Sequence, residues 1–352
     1  MPAGDVTAGA TYGHEGEAWH RLIPHFHDIE GQTFDQARID ADMTWDVETS
    51  QIFDSHMRPI DGWQALRRND TGALLSVQQD SYAVIGMEEI GSTAEFVLDA
   101  SEDTDVKVRV AAMAELNGGR QIYVTFRLPW TIEIPGDESP TIPFLVLATR
   151  HDGRGGMRLG GNSIRPICVN TAGQAEAFWD RTGLGFTIRH TSNWADKLHD
   201  VRQAMRIAGD NLEKLGELYI DLSDREMTTR DINWFLNRWS YTALSTAQGK
   251  RAKGNSRARR ELFYEILASP TVKGIERTMY GGLMAATEIT DHHMIGPKTT
   301  TDTVMSRQLE RGSLEKRQAF MLWAKRAKST LKPSPAMMRK VETAALKARS
   351  LA

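Results

Sequence analysis

Cysteine is nearly absent from this chain: Cys168 is the only one in 352 residues. That excludes an internal disulfide framework and a thiolate metal cluster. Long apolar runs are missing as well, and nothing approaches the ~20 residues that cross a bilayer as a helix. Residues 1–19 carry neither the basic start nor the apolar core of a secretory signal, so a cytoplasmic protein without a membrane partner is expected. The common catalytic signatures are also lacking. Gly153-Arg154-Gly155-Gly156 is not followed by the Gly-Lys-Ser/Thr of a phosphate loop. No Gly-x-Ser-x-Gly elbow and no His-Glu-x-x-His pair occurs. His25-Phe26-His27 and Asp291-His292-His293 are of ligand type, but the zincin spacing is absent. Neither metal nor cofactor is expected.

What is present is a charge asymmetry. The net charge is −3. Residues 241–352 hold 21 Lys and Arg against nine Asp and Glu, which leaves the first 240 residues at −15. An acidic body with a basic end is a pattern of nucleic-acid-facing proteins. Attraction between the two halves accounts for it equally well.

The pattern of residues divides the chain in the same way. The expected class is α+β: an antiparallel, hairpin-rich sheet over residues 1–190, then a helical domain over 191–352. Strands are expected at 44–48, over 74–85 as a pair, at 106–110 and at 121–127, with a short helix at 87–98. Asn117-Gly118 between alternating runs marks a hairpin, because both turn residues need positive φ. The apolar run 144–148 enters the polar turn 151–156 and returns through 157–169. From Trp194 through Leu198, Val201, Met205, Ala208, Leu212, Leu215 and Tyr219 to Leu222, steps of four and three predict a long helix with a heptad seam. A further helix starts at Thr228, capped with Asp231 three residues on. Residues 248–257 are rich in Gly, Lys and Arg and lack large apolar side chains, so a basic loop (248–260) is expected. Helices resume at 259–267, 274–292 and 314 onward.

Two clusters are candidates for chemistry. One surrounds the 149–171 hairpin: Arg150, His151, Asp152, Arg154, Arg158, Arg165 and Asn170, with Arg189 and His190 just before the long helix. Arginines and Gly-rich backbone supply the charge and N–H donors that a phosphate needs. The other is the basic segment, with Lys250, Arg251, Lys253, Arg257, Arg259 and Arg260. Glu288 and Asp291 are expected to form structural ion pairs with Arg165 and Arg189, tying the halves together.

The order of several motifs resembles a known family. Trp19-His20, His151-Asp152-Gly153, Arg165-Pro166-Ile167-Cys168-Val169-Asn170-Thr171, Arg189-His190-Thr191 and Ala286-Thr287-Glu288-Ile289-Thr290-Asp291-His292 are similar to the motifs of the DUF932, or phage/plasmid-like, proteins. The likeness spans about residues 19–325. It departs at Met284, where the family has Asn, and at Ile289, where it has Tyr. The resemblance implies a mobile-element origin and a cytosolic setting, and brings no established reaction.

The leading expectation is a DNA-binding accessory protein of phage or plasmid type, acting on single strands or annealing them in replication or recombination. Trp63, Trp130, Trp179 and Trp194 are candidate stacking platforms for bases. A second reading is an enzyme acting on a phosphate ester or nucleotide, with His151, Asp152 and His190 as acid–base groups. A third is a scaffold that forms a homo-oligomer through the 194–222 helix.

Overall fold

The structure, a computed structural model, describes residues 11–13, 33–102, 108–139, 141–153, 155–164, 186–188, 201–239, 242–293 and 312–327. Its N-terminal half contains two antiparallel sheets. The larger has the order β1 (Thr11–Gly13), β5 (Arg109–Leu116), β6 (Gln121–Arg127), β7 (Ile142–Arg150), β8 (Met157–Ile164), β9 (Phe186–Ile188). The smaller joins β2 (Val47–Phe53), β3 (Pro59–Arg68) and β4 (Leu74–Gln79). Helices α1 (Phe34–Asp40) and α2 (Met87–Glu102) cover one face of the larger sheet. The expected Asn-Gly hairpin is there: Asn117 and Gly118 take φ of 55° and 68° between β5 and β6. Period-two alternation then sends Ile122, Val124 and Phe126 to the core face, where they meet Leu145 and Leu147 of β7 and Leu159 of β8.

The second half is helical: α3 (Val201–Ser223), α4 (Thr229–Leu236), α5 (Gly249–Leu267), α6 (Met279–Glu288), a π-turn (Ile289–His293) and α7 (Gly312–Ala327). Thr228 and Asp231 form the expected capping box at the start of α4. Every residue of α6 is buried, so this helix is the axis around which the others pack. At 23 residues, α3 runs about 34 Å at 1.5 Å per residue and belongs to both cores. Leu212 packs with the sheet, whereas Leu215, Leu218, Tyr219 and Leu222 pack with the helices. Leu212, Leu215, Tyr219 and Leu222 of the seam are therefore buried inside the chain. Leu218 and Gly216 are buried off the seam, so the stripe is wider than a coiled-coil seam.

Three local expectations are corrected. The basic segment is no loop: Gly249–Leu267 is one helix of 19 residues. Lys, Arg, Ala and Glu are good helix formers, and the lack of apolar residues marks exposure rather than irregular backbone. The helix is held by Ser256, Phe263 and Ile266 alone among its fully buried residues. Residues 74–85 are not a strand pair. Only Leu74–Gln79 is a strand, and it pairs back onto β3. The edge strand begins at Val47 rather than Thr44.

Candidate nucleic-acid interface

The turn after β7 does not project from the sheet. His151 is fully buried. Its Nδ1 lies 2.9 Å from the Gly119 carbonyl and its Nε2 lies 2.8 Å from the Ile85 carbonyl. Both ring nitrogens are thereby turned to main-chain acceptors, and neither is left to meet a ligand. This corrects the expectation of an acid–base or phosphate-contacting His151. The flanking groups are tied as well. Arg150 binds Asp152 through Nε at 3.1 Å and Nη2 at 2.7 Å. Tyr82 donates its hydroxyl to the Arg150 carbonyl at 3.1 Å, and Ser76 donates to the His151 carbonyl. Burial, with the Asp152 charge added, holds the Tyr82 phenol well above its ordinary range and so keeps it a donor.

Beside it, Trp45 donates to Glu115 at 2.7 Å. Arg68 reaches both Glu115 oxygens at 2.9 and 3.0 Å and lies 4.2 Å from the Trp45 ring centroid. Arg68 also clasps Asp70. Ser76, Arg68 and Tyr82 belong to the small sheet or its exit, and His151, Glu115 and Gly119 to the hairpin ends of the large one. The cluster is a fastening between two sheets.

Arg158 shares the opposite sheet face with Arg150: it pairs in register with Ala148, two residues from Arg150. Gln121, Tyr123 and Thr125 lie on this face and are buried, with Arg109 and Arg127 opposite each other at its margin. The sequence reading missed these residues because alternation normally sends the polar side of a strand to water. Here both sides of β6 are covered. Arg154, Arg165, Asn170, Arg189 and His190 lie outside the described residues.

The helical centre has its own ion pair. Asp291, in the π-turn, accepts from Lys316 of α7 at 2.8 Å, both side chains being fully buried. Glu288 accepts from Thr271 at 2.7 Å and lies 4.0 Å from His293 Nε2. Lys316 is the partner the sequence reading did not find. Its only signal was one of two adjacent cations, Lys316-Arg317, shortly before the apolar run 319–324. No group of three or more His, Cys, Asp or Glu that could hold a metal occurs among the described residues.

The α5 cations differ from all of these. Positions 250, 253, 257, 260 and 264 step by three and four, so Lys250, Lys253, Arg257, Arg260 and Tyr264 share one stripe. Lys250, Arg251, Lys253 and Arg257 are exposed. None of these four has a hydrogen-bond or ion-pair partner among the described residues. Arg259 and Arg260 are half-buried. Arg260 bonds Asn233 Oδ1 at 3.3 Å, Asn237 Oδ1 at 3.2 Å and the Thr242 carbonyl at 3.3 Å, bracing α5 against α4. On α4 and just past its end, Arg230, Trp234 and Arg238 follow at successive fourth positions. The Arg238 guanidinium stands 4.6 Å and that of Arg326 5.5 Å from the Trp234 ring. Arg326 in turn binds Asp231 at 2.5 Å. Of the tryptophans expected to stack, Trp63 is exposed on β3 and Trp130 packs against the sheet core. Trp179 and Trp194 lie outside the described residues.

No described helix is long and apolar enough to cross a membrane. A family model, described as the domain of unknown function DUF932, matches residues 74–329, from β4 past the end of α7. No curated protein and no solved structure matches the chain.

Proposed function

The chain belongs to the DUF932 family, and we propose that it binds nucleic acid by its phosphates along the exposed stripe of α5. The observation that carries this is the run Lys250, Arg251, Lys253 and Arg257: four exposed cations without partners among the described residues, set on the first turns of a helix that is anchored at its other end. Cations at i, i+3 and i+7 rise ~4.5–6 Å per step, which gives a row of charge rather than a point. The same four crowd the first turns of α5, where no acid offsets them. Cations at the positive end of a helix dipole cost the helix stability, and an anion there reverses the sign. Arg260 holds the row in place through α4.

This reading narrows the contacts from six cations to four, with Arg260 supporting them. The setting it fits is the expected accessory role in replication or recombination. Acid–base catalysis through His151 is not favoured by a ring whose two nitrogens face main-chain carbonyls.

Salt titration tests the reading. Four phosphate contacts give a log–log slope of about −2.8 for single strands and about −3.6 for duplex. Replacing Lys250, Arg251, Lys253 and Arg257 together by Gln abolishes most of that slope and leaves the melting temperature unchanged or slightly raised. Binding with an undiminished slope in the fourfold variant removes α5 as the interface.

A further inference from the structure

We infer that the α5 surface takes unpaired strands, with Tyr264 as the platform on which a base stacks. This rests on the phosphate-binding reading above and adds which form of nucleic acid the surface accepts. Tyr264 is 44% exposed and is the only large exposed aromatic in the helical half among the described residues. It lies four residues beyond Arg260 and seven beyond Arg257, on the stripe that carries Lys250 and Lys253. An aromatic ring is thus set in line with the phosphate row, about two helical turns past its last cation.

The ring is backed rather than loose. Phe263, fully buried, meets it edge-on, with centroids 6.3 Å apart and planes at 87°. A duplex presents a continuous backbone with its base faces hidden in the stack, so a ring beside a phosphate row gains nothing from it. A single strand offers bare base faces. Sequence-tolerant single-strand binding combines a cationic track with such rings.

The other aromatics on the surface are poorer candidates. Trp234 already carries two guanidinium groups. Trp63 and Phe53 are exposed on the small sheet, where Arg58 is paired with Asp54 and no cationic row runs beside them. Glu261 and Glu265 are exposed on α5 beyond Arg257, and Glu261 neighbours both Arg257 and Tyr264, so the phosphate track ends at Arg257 and the ring lies past it.

The test uses the full chain and three probes: an oligothymidylate, a deoxyribose-phosphate oligomer of equal length without bases, and a duplex. The oligothymidylate is expected to bind more tightly than the abasic oligomer by roughly 5- to 150-fold, the range for one stacked base. Tyr264→Ala removes that advantage while abasic affinity, salt slope and melting temperature stay as they were. Tyr264→Phe keeps it, and Trp63→Ala does not touch it. Equal affinity for the base-bearing and abasic oligomers, or tighter binding of duplex than of either, overturns the inference while leaving the phosphate row standing. Failure of all three probes to bind overturns both. The fourfold Gln variant separates the cases, because it weakens the abasic oligomer only if the phosphate row is real.

Discussion

The hairpin cluster at 150–158 and the basic segment at 250–260 look alike in sequence: arginines, glycines and few apolar residues. In the fold they are opposites. Around the hairpin the charges are paired and largely covered. Arg68 and Glu115 keep only 12% and 10% of their side chains exposed, and His151 none. On α5 the four leading cations face water without partners. A buried charge must be paired, and its pairing is what it does. An exposed, unpaired row adds nothing to the fold and is free to act on something else. Charge density alone therefore does not separate a fastening from an interface, whereas burial and partners do.

The strongest way to break that comparison is to remove one partner on the covered side. Glu115→Ala leaves Arg68 without its buried carboxylate and the Trp45 indole N–H without an acceptor. Removing one member of a buried pair costs about 3–5 kcal/mol, so urea denaturation should show a loss of that order. The fourfold Gln variant of α5 should stay within about 0.5 kcal/mol of the parent, as surface changes do. Comparable losses in both would mean that the α5 cations are structural too.

What was legible in advance follows from the same physics. The Asn117-Gly118 turn, β6 to β8, the Thr228 cap and the span of α3 after residue 200 are read from local rules: turn residues, alternation, capping and the 3.6 period. The basic helix was misread because periodicity reports burial, and α5 buries almost nothing before Ser256. Strand β3 left no signal, since its first five residues are all exposed and Pro59 and Gly62 resemble a loop. The roles of His151 and Lys316 depend on Ile85, Gly119 and Asp291. Those partners are between 25 and 66 residues away, and nothing local announces them. The family match begins at β4, so the other two strands of the small sheet precede the matched segment, although Arg68 on β3 completes the fastening.

A second, smaller effect sharpens the comparison at the joint between the halves. Gly274 takes φ of 85° and its α-carbon abuts the Gly136 carbonyl, while Gly136 takes φ of 81°. Lys273 and Glu138 bridge the same junction at 3.0 Å on the surface. In Gly274→Ala the new methyl drives into the Gly136 carbonyl oxygen. Strain of about 1 kcal/mol from the backbone and 1–3 from overpacking predict a loss of about 2–4 kcal/mol. Lys273→Ala, at the same place but exposed, should cost under about 1 kcal/mol. Equal effects would mean that backbone approach is not what joins the halves.

The smallest effect concerns the outer edge of the fastening. The Arg68 guanidinium bonded to Asp70 draws that carboxyl down to about 2, against a weaker opposing push from burial. A carboxyl whose folded value lies below its unfolded one stabilises the fold at every pH above the unfolded value near 3.8. The contribution fades as pH falls from there through about 2 and is gone only below that, where both states are protonated. Its size is modest. The Asp70 side chain is 39% exposed, so screening keeps it under about 1 kcal/mol. Asp70→Asn should therefore lower the melting temperature slightly at pH 7 and by much less near pH 2, the two curves converging as pH falls from 4 through 2. A difference that persists undiminished at pH 2 would show that Asp70 does not act by its charge. In that case the ion pairing that distinguishes the covered cluster from α5 would end at Glu115.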